Sequence, residues 1–350
     1  MDFTLERYKE LMGTLLRQGF SYYGVYGYIL QRLRRIEEHR FHRGEKEVGG
    51  DRVIILRQDI DRLPENSLVI AKIQKELGIK STFYFRSVAR SFEPEVIEKI
   101  AGMGHEVGYH YEDVSLTANS SKSLVSSSKF REKDLIDESI GTFDRNLERL
   151  MEYAGVKTIC MHGSPMSRWD SRLLWKYYDY KDFGIECEPY FDMDMEEMLY
   201  LTDTGRKWNG SAVSVRDKAQ GPEHRAQSTL LHSSILEGQG RASDFATDLA
   251  EASSGKQGLE DQFNAWVRKP VSGSLMNMTG KSLEFQRGYN FRTTEDIVRA
   301  AERDRLPDRM MMNFHPHRWN NFGMQWWKEL VGQNIKNSVK YFIIRIRPGN

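Results

Sequence analysis

Between Arg52 and His162 the chain alternates two periodicities, and that rhythm restricts the fold more than any other feature. The runs "RVIIL", "STFYFRS", "HEVGYH" and "VKTICMH" read as short buried strands. Between them stand "ENSLVIAKIQKELG", closed by Gly78, then "EPEVIEKIAGMG" and "EKDLIDESIGTFDRNLERLMEYAG", with apolar residues at helical spacing. Strands that alternate with helices pair in parallel through crossover connections. Two helices are expected ahead of the rhythm, in "FTLERYKELMGTLLRQ" and "YILQRLRRIEEHR". After it come weaker strands at "FGIEC", "MLYLT" and "RMMMNF", a helix at "WWKELVGQNIKN" and a last strand, "YFIIRI". About seven core strands make an α/β fold, either a closed or nearly closed barrel or a doubly wound open sheet.

Two segments interrupt the pattern. "SLTANSSKSLVSSSK", from Ser115 to Lys129, is serine-rich and reads as a flexible loop. Residues Ala219 to Asn290 are polar, with scattered Gly, Ser and Gln, and a loop of that length inside a compact domain is unusual. The expected organisation is an N-terminal helical segment, 1–50, packed on a barrel built from 51–218 and 291–350. Residues 219–290 form an insertion, partly disordered or a small helical subdomain.

Charge narrows the partners. Lys plus Arg total 51 against 50 Asp plus Glu, which offers no electrostatic footprint for nucleic acid or an acidic membrane. The first residues lack a basic stretch followed by an apolar one, and no apolar run reaches the ~18 residues of a membrane span. A cytoplasmic location is expected. Cys160 and Cys187 are too few for a disulfide framework.

The polar residues gather at the ends of the expected strands. Asp59 and Asp61 close the first, in "RQDIDR"; side chains two apart on a strand share a face, roughly 6.5 Å from each other. His110 follows "HEVGY", His162 ends "VKTICMH", and Glu188 follows "FGIEC". Asp203 and Arg206 follow "MLYLT"; His315 and His317 follow "RMMMNF". In α/β folds the carboxyl ends of the strands carry the active site. Like charges as close as Asp59 and Asp61 repel unless something positive lies between them. A divalent cation held by imidazoles and one of the aspartates satisfies that need, and the other aspartate can then stay ionised as a base. Flanking Arg57 and Arg62 offer a plainer explanation, an ion pair, and a helix N-cap near Pro64 is another. A buried ion pair between Glu188 and Arg206 competes with a substrate role for both. Trp169 and Trp208 are candidates for a sugar-stacking platform.

These motifs resemble those of the polysaccharide deacetylases, the NodB-homology group of carbohydrate esterases (carbohydrate esterase family 4). "RQDIDR" is similar to their aspartate-pair motif, "STFYF" to their second strand, "GHEVGYH" to "GHEIGNH", and "NFHP" to the late strand whose histidine is the general acid. "MHGSP", "EPYFD" and "DTGRKW" look closest to a WbmS-like branch associated with bacterial surface polysaccharide loci. The resemblance covers about Arg52 to Asp217 and Phe291 to Arg347 and does not reach the insertion. It implies a distorted (β/α)7 barrel, Asp59 as base, Asp61 and His110 as metal ligands and His315 as acid. The cofactor it implies is a divalent metal: zinc first, with nickel, cobalt, manganese and iron as alternatives. The family's second metal histidine comes four residues after the first, where this chain has Val114. His162 is the best replacement, because it ends a neighbouring strand; Glu112, Asp113 and Glu188 are alternatives. Glu188, Asp203, Arg206, Trp208 and His317 are expected to bind substrate.

The expected activity is metal-dependent removal of an N-acetyl group from a sugar, nucleotide sugar or glycan precursor in surface polysaccharide biosynthesis. A non-catalytic glycan- or partner-binding protein with a degenerate metal site is the alternative. An inverting glycosidase would use paired carboxylates but has no use for histidines at three strand ends.

Overall fold

The computed structural model describes residues 1–41, 52–121, 131–163, 167, 169–195, 198–208 and 285–346. Seven parallel strands form one sheet: β1 Ser21–Tyr23, β2 Val53–Ile60, β3 Thr82–Phe85, β4 Glu106–Tyr111, β5 Val156–Met161, β6 Leu199–Thr202 and β7 Arg309–Phe314. Their order is β5-β4-β3-β2-β7-β6. β1 pairs with the first half of β2, from Ser21↔Val53 to Tyr23↔Ile55, and β3 pairs with the second half, from Arg57↔Thr82.

Eight α-helices of eight residues or more pack with the sheet among the described residues: α1 Leu5–Arg17, α2 Val25–Phe41, α3 Pro64–Glu76, α4 Pro94–Gly102, α5 Asp113–Ser120, α6 Glu132–Met151, α7 Thr294–Glu302 and α8 Met324–Ile346. Local chemistry sets their ends. The Thr4 hydroxyl accepts from Arg7 N at the start of α1, which buries Tyr8, Leu11, Met12 and Leu15 on one face. α3 and α4 each open on a proline, whose missing N–H costs nothing there. Gly78, at φ +71°, ends α3 as expected, and Ile79 N closes back on Gln74 O at 2.8 Å. No helix of the described residues is long and apolar enough to cross a membrane.

All eight residues of β2 are buried, so both faces of the central sheet are covered. One face presents Ile54, Leu56, Ile60, Phe83, Phe85, Tyr109, Ile159 and Phe314 to the main core. The other begins apolar: Val53, Ile55, Tyr84, Cys160 and Met311 pack with Cys187, Met193, Met195 and Met198, and α2 adds Val25, Tyr28 and Ile29. Further along β2 the same face turns polar, at Arg57 and Asp59. Each large apolar side chain buried there contributes about 1.5–3 kcal/mol. That apolar floor anchors the strand ends that carry charge. Both cysteines are free and buried.

Tyr84 explains a glycine. A Cβ on Gly108 of β4 would stand 2.4 Å from Tyr84 Cε1 and 2.9 Å from the Thr158 carbonyl. Tyr84 also donates to Thr158 Oγ1 at 3.0 Å and lies beside His110. Gly108→Ala therefore forces Tyr84 aside, and we expect a loss of about 1–3 kcal/mol in urea unfolding. An unchanged midpoint would contradict this packing.

Several expectations change. The sheet is open: among the described residues no pairing joins β6 to the β5 edge. "FGIEC" contributes a single bridge, Thr158–Cys187, because Pro189 opens a helical turn, Pro189–Asp192, directly after it. "YFIIRI" continues α8 and forms no strand; nothing between Gly332 and Pro348 stops that helix. The first half of the serine-rich segment is α5, and residues 122–130 lie outside the described residues. Of the insertion, 219–284 also lie outside them. Residue Gln286 belongs to the fold, accepting from Tyr200 N at 3.1 Å and donating to the Met198 carbonyl at 2.6 Å along the free edge of β6. The N-terminal segment supplies a strand as well as helices, and α7, unassigned from sequence, carries a Thr293–Asp296 capping box.

Candidate metal centre

Parallel strands bring all their carboxyl ends to one rim. Asp61 lies just past β2, His110 within β4, His162 just past β5 and His315 just past β7. His162 is still held in register, its N–H donating to the Tyr111 carbonyl at 2.8 Å. One ligand atom each from Asp61, His110 and His162 lies within 4.8 Å of the others. His162 Nε2 is 3.3 Å and His110 Nε2 3.9 Å from Asp61 Oδ1, and the two rings stand at 88°. Asp61 Oδ1 is buried, and the His162 ring is the group that bonds it when protonated.

The far side of each ring sets its tautomer. His110 Nδ1 faces the Cys160 carbonyl at 2.8 Å; a carbonyl only accepts, so Nδ1 carries the hydrogen and Nε2 keeps its lone pair. His162 Nδ1 faces Glu112 Oε2 at 3.1 Å, with the same result. Two lone pairs and a carboxylate oxygen then point at one spot, an arrangement that needs a cation or a proton between them. Burial pushes His110 down to about 4, which keeps it a neutral ligand. Burial also works against charge on His162, but its bonds to Asp61 and Glu112 prevail and raise it to about 9. A proton takes the place when no cation does, and the two compete. Two imidazoles and a carboxylate fit a divalent transition-metal ion better than an all-oxygen ion such as calcium.

Asp59 adjoins this cluster, its Oδ2 3.7 Å from His110 Nε2. Arg57 grips it in parallel, Nε to Oδ1 at 3.2 Å and Nη2 to Oδ2 at 2.6 Å, and Asn313 donates to Oδ2 at 2.9 Å. Arg57 and Asn313 are register partners on β2 and β7, which puts both donors beside the carboxylate. Burial favours the neutral acid; Arg57 first, then His110 and His315, outweigh it and hold Asp59 below its usual range. The ion pair anticipated for Arg57 is thus real, while α3 is capped at Leu63 without a side-chain bond, so neither aspartate is its N-cap. Arg62 pairs instead with Glu329 of α8.

His315 faces the same spot from β7, Nε2 3.8 Å from Asp61 Oδ2. Its Nδ1 lies 2.6 Å from Asp203 Oδ1, and its main-chain N–H donates to Asp203 Oδ2 at 2.9 Å. Trp319 Nε1 and Arg318 Nη1 add bonds to the same carboxylate at 2.7 and 2.8 Å. Asp203, expected among the substrate-binding residues, is fully buried and orients His315. Burial raises its acid, but His315 and Arg318 bring it down to about 2. A carboxyl lowered on folding stabilises above its unfolded value, near 3.8, and loses that stabilisation as pH falls towards 2. The stability difference between wild type and Asp203→Asn is therefore expected to shrink by about 2 kcal/mol between pH 5 and pH 2. A difference independent of pH in urea unfolding would contradict the assignment.

Three other expected substrate residues stand apart. Glu188 is fully buried, accepts from Met161 N at 3.1 Å and Tyr190 N at 2.5 Å, and burial pushes its acid up to about 8. It caps the Pro189 turn and does not meet Arg206. Arg206, at φ +57°, donates to the Arg318 carbonyl at 3.1 Å, and its guanidinium lies near the Phe3 and Trp326 rings. Trp208 is buried against Phe3, Phe314 and Trp319 and donates to Thr294 Oγ1 at 3.0 Å, so it forms no sugar platform with Trp169. Phe3, remote in sequence, covers both Arg206 and Trp208. His317 does stay near the site, its ring 6.0 Å from that of His315, with a buried Nδ1 that has no hydrogen-bond partner. Burial and Arg318 hold it well below the usual histidine range.

Val114, in the position of the family's second histidine, is fully buried in the core. His105 contacts the Ala71 carbonyl of α3 at 3.1 Å. Asn313, Arg86, Glu112 and Arg318 support the site without having been singled out for these roles, whereas Arg57 makes the ion pair anticipated for it. For Asn313 the signal was parity, two residues before His315. Comparisons of the chain with protein-family models, with curated proteins and with solved structures each found no match.

Proposed function

We propose that this chain is a metal-dependent hydrolase that removes an N-acetyl group from a sugar or glycan precursor of a surface polysaccharide. The observation that carries the reading is the convergence of Asp61, His110 and His162 on one spot flanked by Asp59 and His315. A divalent cation bound there supplies Lewis-acid polarisation of an amide carbonyl and lowers the pKa of water. Asp59, held ionised by Arg57, accepts the proton of the attacking water. His315, oriented by Asp203, delivers a proton to the departing amine. The sugar N-acetyl group as substrate rests on the resemblance of "RQDIDR", "GHEVGYH" and "NFHP".

The test is acetate release from a panel of N-acetylated nucleotide sugars and oligosaccharides, with and without chelator. Release that chelator abolishes and zinc restores supports the reading. A protein that binds zinc yet releases acetate from none of them contradicts it. The non-catalytic alternative drew its support from Val114; His162 as a third donor speaks against it.

A further inference from the structure

The two histidines of the centre are held differently. His110 turns its Nδ1 to a main-chain carbonyl, a partner that no substitution at Cys160 removes. His162 turns its Nδ1 to a side chain, Glu112. Glu112 sits just past β4 and is buried, and its Oε1 is gripped by Arg86 of the neighbouring strand end. Arg86 Nε donates to it at 2.7 Å and Nη2 makes a second bond. Arg86 Nη1 donates in addition to the Asp61 carbonyl at 3.2 Å. Its main-chain N–H donates to Ser91 Oγ at 3.1 Å, and Ser91 donates to the Ile60 carbonyl. One guanidinium thus ties the turn that carries Asp61 to the residue that faces His162.

We infer that Glu112 and Arg86 are positioning residues of the cation site. Arg86 fixes the Glu112 carboxylate, Glu112 keeps the His162 hydrogen on Nδ1, and Nε2 is thereby presented towards Asp61 and His110. The inference rests on the cation reading above. It also accounts for Val114. With no histidine on α5, the third donor comes from β5, and an ionised partner holds a ring that projects from a strand end.

The experiment is zinc binding by chelator competition, with ¹⁵N-histidine spectra of the zinc-loaded protein. Wild type, Glu112→Gln and Glu112→Asp are compared, each checked for folding by circular dichroism. Glu112→Gln cannot accept from both Arg86 and His162 as a carboxylate does, and its zinc affinity is expected to fall about 10–100-fold. Its His162 ring signals should depart from the pattern of a protonated Nδ1. Glu112→Asp keeps the charge facing Arg86 but withdraws from Nδ1. It should lose affinity in the same sense, which keeps the test open if the glutamine variant does not fold. Wild type that binds no zinc overturns the cation reading and this inference together. Wild-type binding with unchanged affinity and spectra in both folded variants overturns this inference alone.

Discussion

Asp61→Ala is expected to release the bound cation and to cut acetate release by at least about 10³-fold. Lewis-acid stabilisation is worth several kcal/mol, and about 1.4 kcal/mol is tenfold in rate. The side chain presents a buried oxygen whose bonding partner is the His162 ring. Its loss removes one of the two carboxylates that hold His162 near 9, and that histidine should titrate lower in the variant. Elemental analysis, acetate release and histidine titration measured on one preparation check all three. Full activity with a retained ion would show that Asp61 is not a ligand.

Asp59→Asn separates the base from the ligand. The variant should keep its cation and lose about 10²–10⁴-fold in rate, the usual worth of a positioned base. Arg57 complicates the measurement. It is 1% exposed and loses its counter-charge, and breaking a buried pair in this way costs about 3–5 kcal/mol. Rates must therefore be referred to folded, metal-loaded protein, and Arg57→Gln/Asp59→Asn removes the uncompensated charge. In wild type the acid limb of the rate profile should lie below the ordinary carboxylate range, since Arg57 keeps Asp59 ionised there. A variant as active as wild type per bound ion would exclude Asp59 as the base.

The site was legible where it depended on strand parity. Asp59 and Asp61 stand two apart at the end of β2, and His110, His162 and His315 end β4, β5 and β7, so parallel pairing alone brings them to one rim. Val114 could be set aside because an aliphatic side chain has no electron pair to give. Pairings across long stretches of chain were not legible: Asp203 with His315, 112 residues on, depends on β6 lying next to β7, and Trp208 with Thr294, 86 residues on, depends on where α7 packs. Arg206 and Trp208 therefore look exposed in sequence and are covered in three dimensions. Glu188 was misread for a local reason: its carboxylate caps the Pro189 turn. The same proline cut "FGIEC" to one bridge, and the sheet is open where a closed or nearly closed barrel had been the first expectation. β1, three residues long, is too short for a period-two signal and is defined only by its pairing with β2.

The most direct test of the central claim is anomalous diffraction at the zinc edge from crystals of the zinc-loaded protein. The account predicts one peak bonded to Asp61 Oδ1, His110 Nε2 and His162 Nε2, with Asp59 and His315 beside it and unbonded. A zinc-loaded crystal whose anomalous peak lies on other residues, with these three side chains bare, would contradict it.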